Sequence, residues 1–168
     1  MKLLLLPESS GAALQELYHR ALRESEELYI LSAYLTDWDT TVKLGRQCKT
    51  FAFIVGKDFG ITRKAACAKV IQWLPSSRRT HFLVAELIEG FHPKAMFWRE
   101  PGGSYHALAG SSNLSKAAFA TNHEVNAYSK ISRTEFESAK NWILEVKKSC
   151  VILSQSWLDG YIEAKRIN

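Results

Sequence analysis

The sequence predicts an α/β sandwich built on a mixed β-sheet. Three observations carry that expectation. Apolar runs of strand length alternate with segments whose apolar residues recur at helical spacing. Strand-like runs then cluster in the middle of the chain, two of them joined by Pro101-Gly102-Gly103, a hairpin-type turn. The length of 168 residues fits one domain, 1–168, with a core large enough to fold without disulfides.

Leu3–Leu6 reads as a short buried strand, and Pro7-Glu8-Ser9-Ser10-Gly11 as a loop carrying a helix cap. Leu14, Leu17, Tyr18, Ala21 and Leu22 follow at helical spacing. Glu26–Leu35 is apolar enough for a central strand, and a short helix is expected over Trp38–Arg46. Thr50–Val55 reads as a third strand, stopped by Gly56-Lys57-Asp58-Phe59-Gly60. Thr62–Leu74 reads as a helix broken by Pro75-Ser76-Ser77. Thr80–Leu87, Lys94–Arg99 and Tyr105–Ala109 are the clustered strands, followed by a helix over Leu114–Thr121 and a strand over Glu124–Tyr128. Ser132-Arg133-Thr134-Glu135 has the pattern of a capping box opening a helix to Cys150. A last helix, weakened by Gly160, is expected over Leu153–Arg166.

With 46% hydrophobic and 23% charged residues, the composition excludes a disordered chain, a collagen and a coiled coil. Twenty-two Lys and Arg against 17 Asp and Glu leave a net charge of +5, which favours polyanionic partners. Cys48, Cys67 and Cys150 form no CxxC pair, so neither a zinc ribbon nor a disulfide scaffold is suggested. A reducing, cytoplasmic setting is the simplest fit. The apolar run after Met1-Lys2 is too short for a signal peptide, and no stretch has the length of a membrane span.

Polar residues concentrate in Phe91–Asn126, on strands and turns that a bare scaffold would leave apolar. His92 and Lys94 are two apart, which on a strand puts both on one face. Gly110-Ser111-Ser112-Asn113 follows the next strand, and Glu124 begins the one after. Such a set at strand ends forms a site at the edge of a sheet, and each type suits a phosphodiester. A neutral imidazole attacks phosphorus and holds the phosphoryl group covalently. Lys brings a point charge to the non-bridging oxygens. Amide and hydroxyl donors strengthen as charge grows in the transition state. A carboxylate fixes an imidazole tautomer and stabilises the imidazolium.

Phe91-His92-Pro93-Lys94, then Gly110-Ser111-Ser112-Asn113-Leu114-Ser115, then Asn122-His123-Glu124 resembles the phospholipase D superfamily, whose motif is HxK, a spacer, GSxN and an acidic residue about eleven positions later. Asn113 and Glu124 are eleven positions apart. Tyr29–Thr36 is similar to an early buried strand of these proteins. The resemblance implies a phospholipase D-like αβα sandwich and a phosphohistidine at His92. It implies phosphate binding by Lys94 and Asn113, support from Ser111, and orientation of the histidine by Glu124. It implies no metal or other cofactor. Family members with one motif, among them Nuc-type endonucleases and metal-independent restriction endonucleases, are homodimers with the site on the two-fold axis, and a homodimer is expected here. The fuller motif, HxKxxxxD, is not matched: Arg99 and then Glu100 stand where the Asp is sought. That departure favours a nuclease over a lipid-cleaving enzyme. The expected substrate is nucleic acid, DNA before RNA, with no stable membrane association. A lipid phosphodiesterase or transferase and a non-catalytic nucleic-acid-binding module are the alternatives. A catalytic domain cut from a larger restriction or defence protein is a third.

Plainer roles compete for several of these residues. Ser112 or Asn113 could cap the following helix while also binding substrate. His106 and His123 flank the motif, but their spacing from His92 matches no common zinc pattern. Cys67 reads as a packed helix residue. Arg63, Lys64, Lys69, Arg78 and Arg79 form either a phosphate-tracking stripe or a solvated face. Lys116, just after the GSSN turn, is the better candidate for a backbone contact. Lys147-Lys148 and Lys165-Arg166 are expected at helix carboxyl ends. Trp38, Trp73, Trp98, Trp142 and Trp157 are expected in the core or an interface.

Overall fold

The computed structural model of the protein describes residues 1–7 and 12–166. Eight strands form one mixed sheet in the order β1-β7-β6-β5-β2-β3-β4-β8. These are β1 (Lys2–Leu6), β2 (Glu27–Ser32), β3 (Thr50–Val55), β4 (Phe82–Val84), β5 (Lys94–Glu100), β6 (Ser104–Gly110), β7 (Glu124–Ile131) and β8 (Val151–Ile152). β2, β3 and β4 run parallel, and all other pairings are antiparallel. The expected αβα sandwich is therefore the observed one. Helices α1 (Ala13–Glu24), α2 (Lys64–Trp73), α3 (Lys116–Ala120) and α5 (Gln155–Gly160) contribute to one core with Leu28, Ile30, Phe53, Met96 and Trp98. Helix α4 (Arg133–Lys147) covers part of the other face, where Phe136 and Ile143 meet Tyr29, Leu31 and Ile54.

Local chemistry explains the elements. β2 is buried along its whole length, as a central strand covered on both faces must be. α1 turns Leu14, Tyr18, Ala21 and Leu22 inward at helical spacing. Ser132 and Glu135 form the expected capping box: Ser132 Oγ accepts the Glu135 amide at 3.1 Å, and Glu135 Oε2 accepts the Ser132 amide at 2.7 Å. Gly102 and Gly103, at φ +88° and +85°, close the β5–β6 hairpin in a conformation that favours glycine.

Four expectations need correction. Trp38–Arg46 is not helical. Asp39 instead accepts the backbone and hydroxyl of Thr41, and the Gly45 amide donates to Leu22 O, so local and tertiary partners outcompete helix bonds. The last helix is cut short. Val151–Ile152 pairs with β4, α5 ends at Gly160, and the Ala164 amide donates to Gly60 O. Lys165 and Arg166 consequently lie outside any helix, and α4 ends at Lys147 rather than Cys150. The strand expected over Thr80–Leu87 shrinks to Phe82–Val84. The helix cap expected within Glu8–Gly11 falls outside the described residues.

His106 is wholly buried. Its ring stacks on Trp98 with centroids 4.9 Å apart, and lies between Tyr128 O–H at 2.8 Å and Ser104 Oγ at 3.0 Å. Glu100 takes both ends of the Arg20 guanidinium, at 2.7 and 3.0 Å, and the Trp98 indole N–H at 3.1 Å. Burial lowers the His106 pKa; Glu100 opposes this, while Arg20 and Lys130 add to it. The folded protein thus resists a proton that the unfolded chain accepts near pH 6.5, so this site costs stability as pH falls and returns it as pH rises. His106→Phe, which keeps a stacking ring and cannot titrate, is expected to flatten the dependence of urea stability on pH over roughly pH 5 to 7.

Candidate active site

The topology sends one edge of the sheet the residues that carry the chemistry. β5 begins where β6 ends and β7 begins, because the three strands are antiparallel neighbours. β2, the other neighbour of β5, ends there too, with Ser32 opposite Lys94. Lys94, Gly110 and Glu124 therefore meet at one edge, with His92 two residues before β5. His92 lies outside the strand, so it does not share a strand face with Lys94. The Lys94 ammonium nevertheless reaches its ring, 2.9 Å from Nδ1 and 3.4 Å from Nε2, and the His92 carbonyl at 3.2 Å. Tyr34 meets the His92 ring edge-on at 5.9 Å.

The turn after β6 is built by side-chain bonds. Asn126, buried on β7, donates to Ser112 Oγ at 2.8 Å and accepts the Ser112 amide at 3.3 Å. Asn113 accepts the Tyr34 amide at 3.1 Å, which leaves its NH2 group free of that bond. Ser32 Oγ accepts the Leu114 amide at 3.2 Å and donates to Tyr34 O at 2.7 Å. A bridge between Leu35 and Leu114 completes the join. Ser115, rather than Ser112 or Asn113, caps α3, accepting the Ala118 amide at 3.0 Å. Lys116 is exposed on the first turn of that helix.

Glu124 is half-buried and accepts from Ser111 Oγ and, at 3.2 Å, from the Asn122 amide group. Its partners are these two rather than His92. The Ser111 hydroxyl also accepts the Val125 amide at 3.0 Å, so Ser111 couples the turn to β7. Burial lowers the Lys94 pKa, and the Glu124 carboxylate pulls it back up, which places a cation and an anion on the same edge.

Of the residues singled out in sequence, His92, Lys94, Ser111, Ser112, Asn113 and Glu124 come together. His106 does not: it stacks in the core, away from His92. The basic stripe also divides. Arg63 is bound to Glu163 and the Ala164 carbonyl, and Arg78 to the Cys48 carbonyl. Lys69 and Arg79 line a groove with Lys43 and Arg46. Cys67 is packed in α2, where burial pushes its thiol up to about 12. Trp38 and Trp98 are core residues, whereas Trp142 is half exposed. Sequence reasoning missed Tyr34, Asn126 and Ser32. Asn126 left one signal, a polar side chain two residues after Glu124 and so on the same strand face.

An eight-stranded mixed sheet with this edge is a phospholipase D-like fold. NucT from Helicobacter pylori superposes with a TM-score of 0.63 at 18% identity, over 90% of this chain and 98% of that one. Nuc from Salmonella typhimurium, a phospholipase D family member, gives 0.53 at 13% identity, over 88% and 91%. No family model and no curated protein matches the sequence. The shared feature is thus the fold, reached from a distant sequence. Among the described residues, no helix is long and apolar enough to cross a membrane.

Asn126→Ala strips a buried partner from both the amide and the hydroxyl of Ser112. It is expected to cost about 1–3 kcal/mol in guanidinium denaturation.

Proposed function

We propose that the protein is a metal-independent phosphodiesterase, and specifically a DNA endonuclease working through a phosphohistidine in a homodimer. The observation that carries this reading is the meeting of His92, Lys94, Ser111, Asn113 and Glu124 at one edge of a phospholipase D-like sheet. The His92 imidazole attacks phosphorus in line, forming the P–N bond as the P–O bond to the leaving oxygen breaks. Lys94 and the Asn113 NH2 group hold the non-bridging oxygens. Ser111 and Glu124 support that edge, and Lys116 contributes a further phosphate contact; Ser112, expected to bind substrate, is buried with its amide and hydroxyl engaged by Asn126 and shapes the turn instead. The leaving oxygen takes its proton from the His92 imidazolium of a second copy. That imidazole, now neutral, deprotonates the water that releases the phosphoryl group and restores His92.

Nucleic acid is the substrate that the charge supports. The net charge is +5, and Lys43, Arg46, Lys69 and Arg79 line one groove, Lys69 also pairing with Asp37 at 3.3 Å. The second copy is supported by the single HxK and by an apolar face beside the site. Leu3, Leu5 and Val125 are more than half exposed. Register places them with Ala95, Ala109 and Ala127 on the sheet face that α4 leaves open. Val125 brings this face to the same sheet edge as Lys94, Gly110 and Glu124, whose positions alternate to the opposite face, so copies that meet at that edge bring two His92 residues towards each other.

Supercoiled plasmid in excess EDTA is the test. Wild-type protein is expected to nick it, and His92→Ala to lose activity on the order of 10⁴-fold or more. Cleavage that EDTA abolishes, or that survives in His92→Ala, would sink the mechanism. In light scattering, Val125→Asp is expected to shift the dimer to a folded monomer that no longer cleaves. A Val125→Asp monomer with full activity would show that one chain suffices.

A further inference from the structure

Phe59 stands beside this site in an unusual state. Its side chain is 81% exposed, and its backbone adopts φ 60°, ψ 8°, a left-handed conformation that bulky L-residues rarely hold. The surrounding chain fixes it there. The Asp58 carboxylate accepts the Gly90 amide at 2.8 Å, and Gly60 O accepts the Ala164 amide at 2.9 Å. A side chain at Gly60 would collide with the Ala164 and Ile162 backbone, so the loop is clamped on both sides of Phe59. Gly56 packs against the Ala33 and Phe91 carbonyls just as tightly. The loop after β3 is thus bound to residues 90 and 91, immediately before His92. The fold thus holds an exposed aromatic ring in a left-handed, clamped loop that is bound to the residues just before His92.

We propose that Phe59 is the stacking platform for an unpaired nucleobase next to the scissile phosphate, and that the preferred substrate is therefore single-stranded nucleic acid. This rests on the phosphodiesterase reading of the same edge. A bare aromatic face accepts any base by stacking and so confers no sequence preference. A base paired in a duplex has its faces covered by its neighbours, whereas an unpaired base offers one. Lys57 and Asp58 adjoin Phe59 in the chain, so charged groups stand beside the ring. The charge of +5 and the basic groove point the same way.

The probe is a single-stranded oligodeoxynucleotide with one cleavable linkage, the others being methylphosphonates, flanked by bases or by abasic tetrahydrofuran sites. Phe59→Ala is expected to lower kcat/KM on the base-bearing strand roughly 5- to 150-fold, the range of one base–aromatic stack. Removing the bases should lower wild-type activity by a like factor, and both changes together should lower it no further. Phe59→Tyr is expected to retain activity. Circular dichroism confirms that each variant is folded. Multiplying losses, or no loss in Phe59→Ala, overturn the inference while leaving the phosphodiesterase reading intact. So does a Phe59→Ala protein that cleaves normally but no longer binds phosphatidylcholine vesicles, since the ring would then face lipid. A wild-type protein that cleaves neither strand overturns the underlying reading, and this inference with it.

Discussion

The candidate site depends on how closely β6 approaches β7 at Gly110. A Cβ there would collide with the Val125 carbonyl and Asn126 Oδ1, so no other residue fits without moving the strand. That approach lets the Ser111 amide bond to Val125 O and the Ser112 amide to Asn126. The chain then turns sharply enough for Asn113 to reach the backbone of Tyr34. Through Tyr34 the turn is joined to β2, and β2 is joined to β5, where Lys94 begins. One missing side chain thus ties four strands into a single rigid edge. That join fixes how Ser111, Asn113 and Lys94 stand relative to one another.

Asymmetry between the two sheet faces gives that edge its second property. One face is covered by α1, α2, α3 and α5, and the opposite face is covered only in part by α4. The uncovered strip contains Leu3, Leu5 and Val125, residues that alternation places away from Leu4, Leu6 and Asn126. β1 is an edge strand whose outer side chains are leucines rather than charges. Edges like this are normally blunted, so an apolar strip left open on an edge strand marks a surface built for contact.

The sheet was largely legible because period-two and period-3.6 patterns report burial directly. α1 follows the helical period, and β3 is the continuous apolar run of a strand buried on both faces. The candidate site was legible as a cluster too, since polar residues on otherwise apolar strands have few structural uses and the fold brings them to one edge. What escaped was set by long-range partners. Residues 36–49 have composition enough for a helix, but Trp38 packs on Phe53 and Trp73, and the chain follows the ring. Val151 and Ile152 join the sheet because β4 has a free edge, which no local pattern announces. The role expected for Glu124 shifted for a related reason. Spacing brought it to the site, but only packing decides that Ser111 and Asn122 reach it rather than His92.

The missing Asp of the fuller motif finds its explanation in the length of β5. The strand has seven residues, so its two ends lie roughly 20 Å apart. Arg99 sits at the end remote from His92, where it pairs with Glu26 and, at 3.6 Å, with Glu27. Glu100 is still further along, engaged with Arg20, Trp98 and His106. A carboxylate at either position is too distant to touch a substrate held at Lys94. Here Glu100 and the Arg99–Glu26 pair tie that far end of β5 to α1 and to the start of β2. The departure from the fuller motif thus lies at the end of β5 remote from His92, Lys94, Asn113 and Glu124.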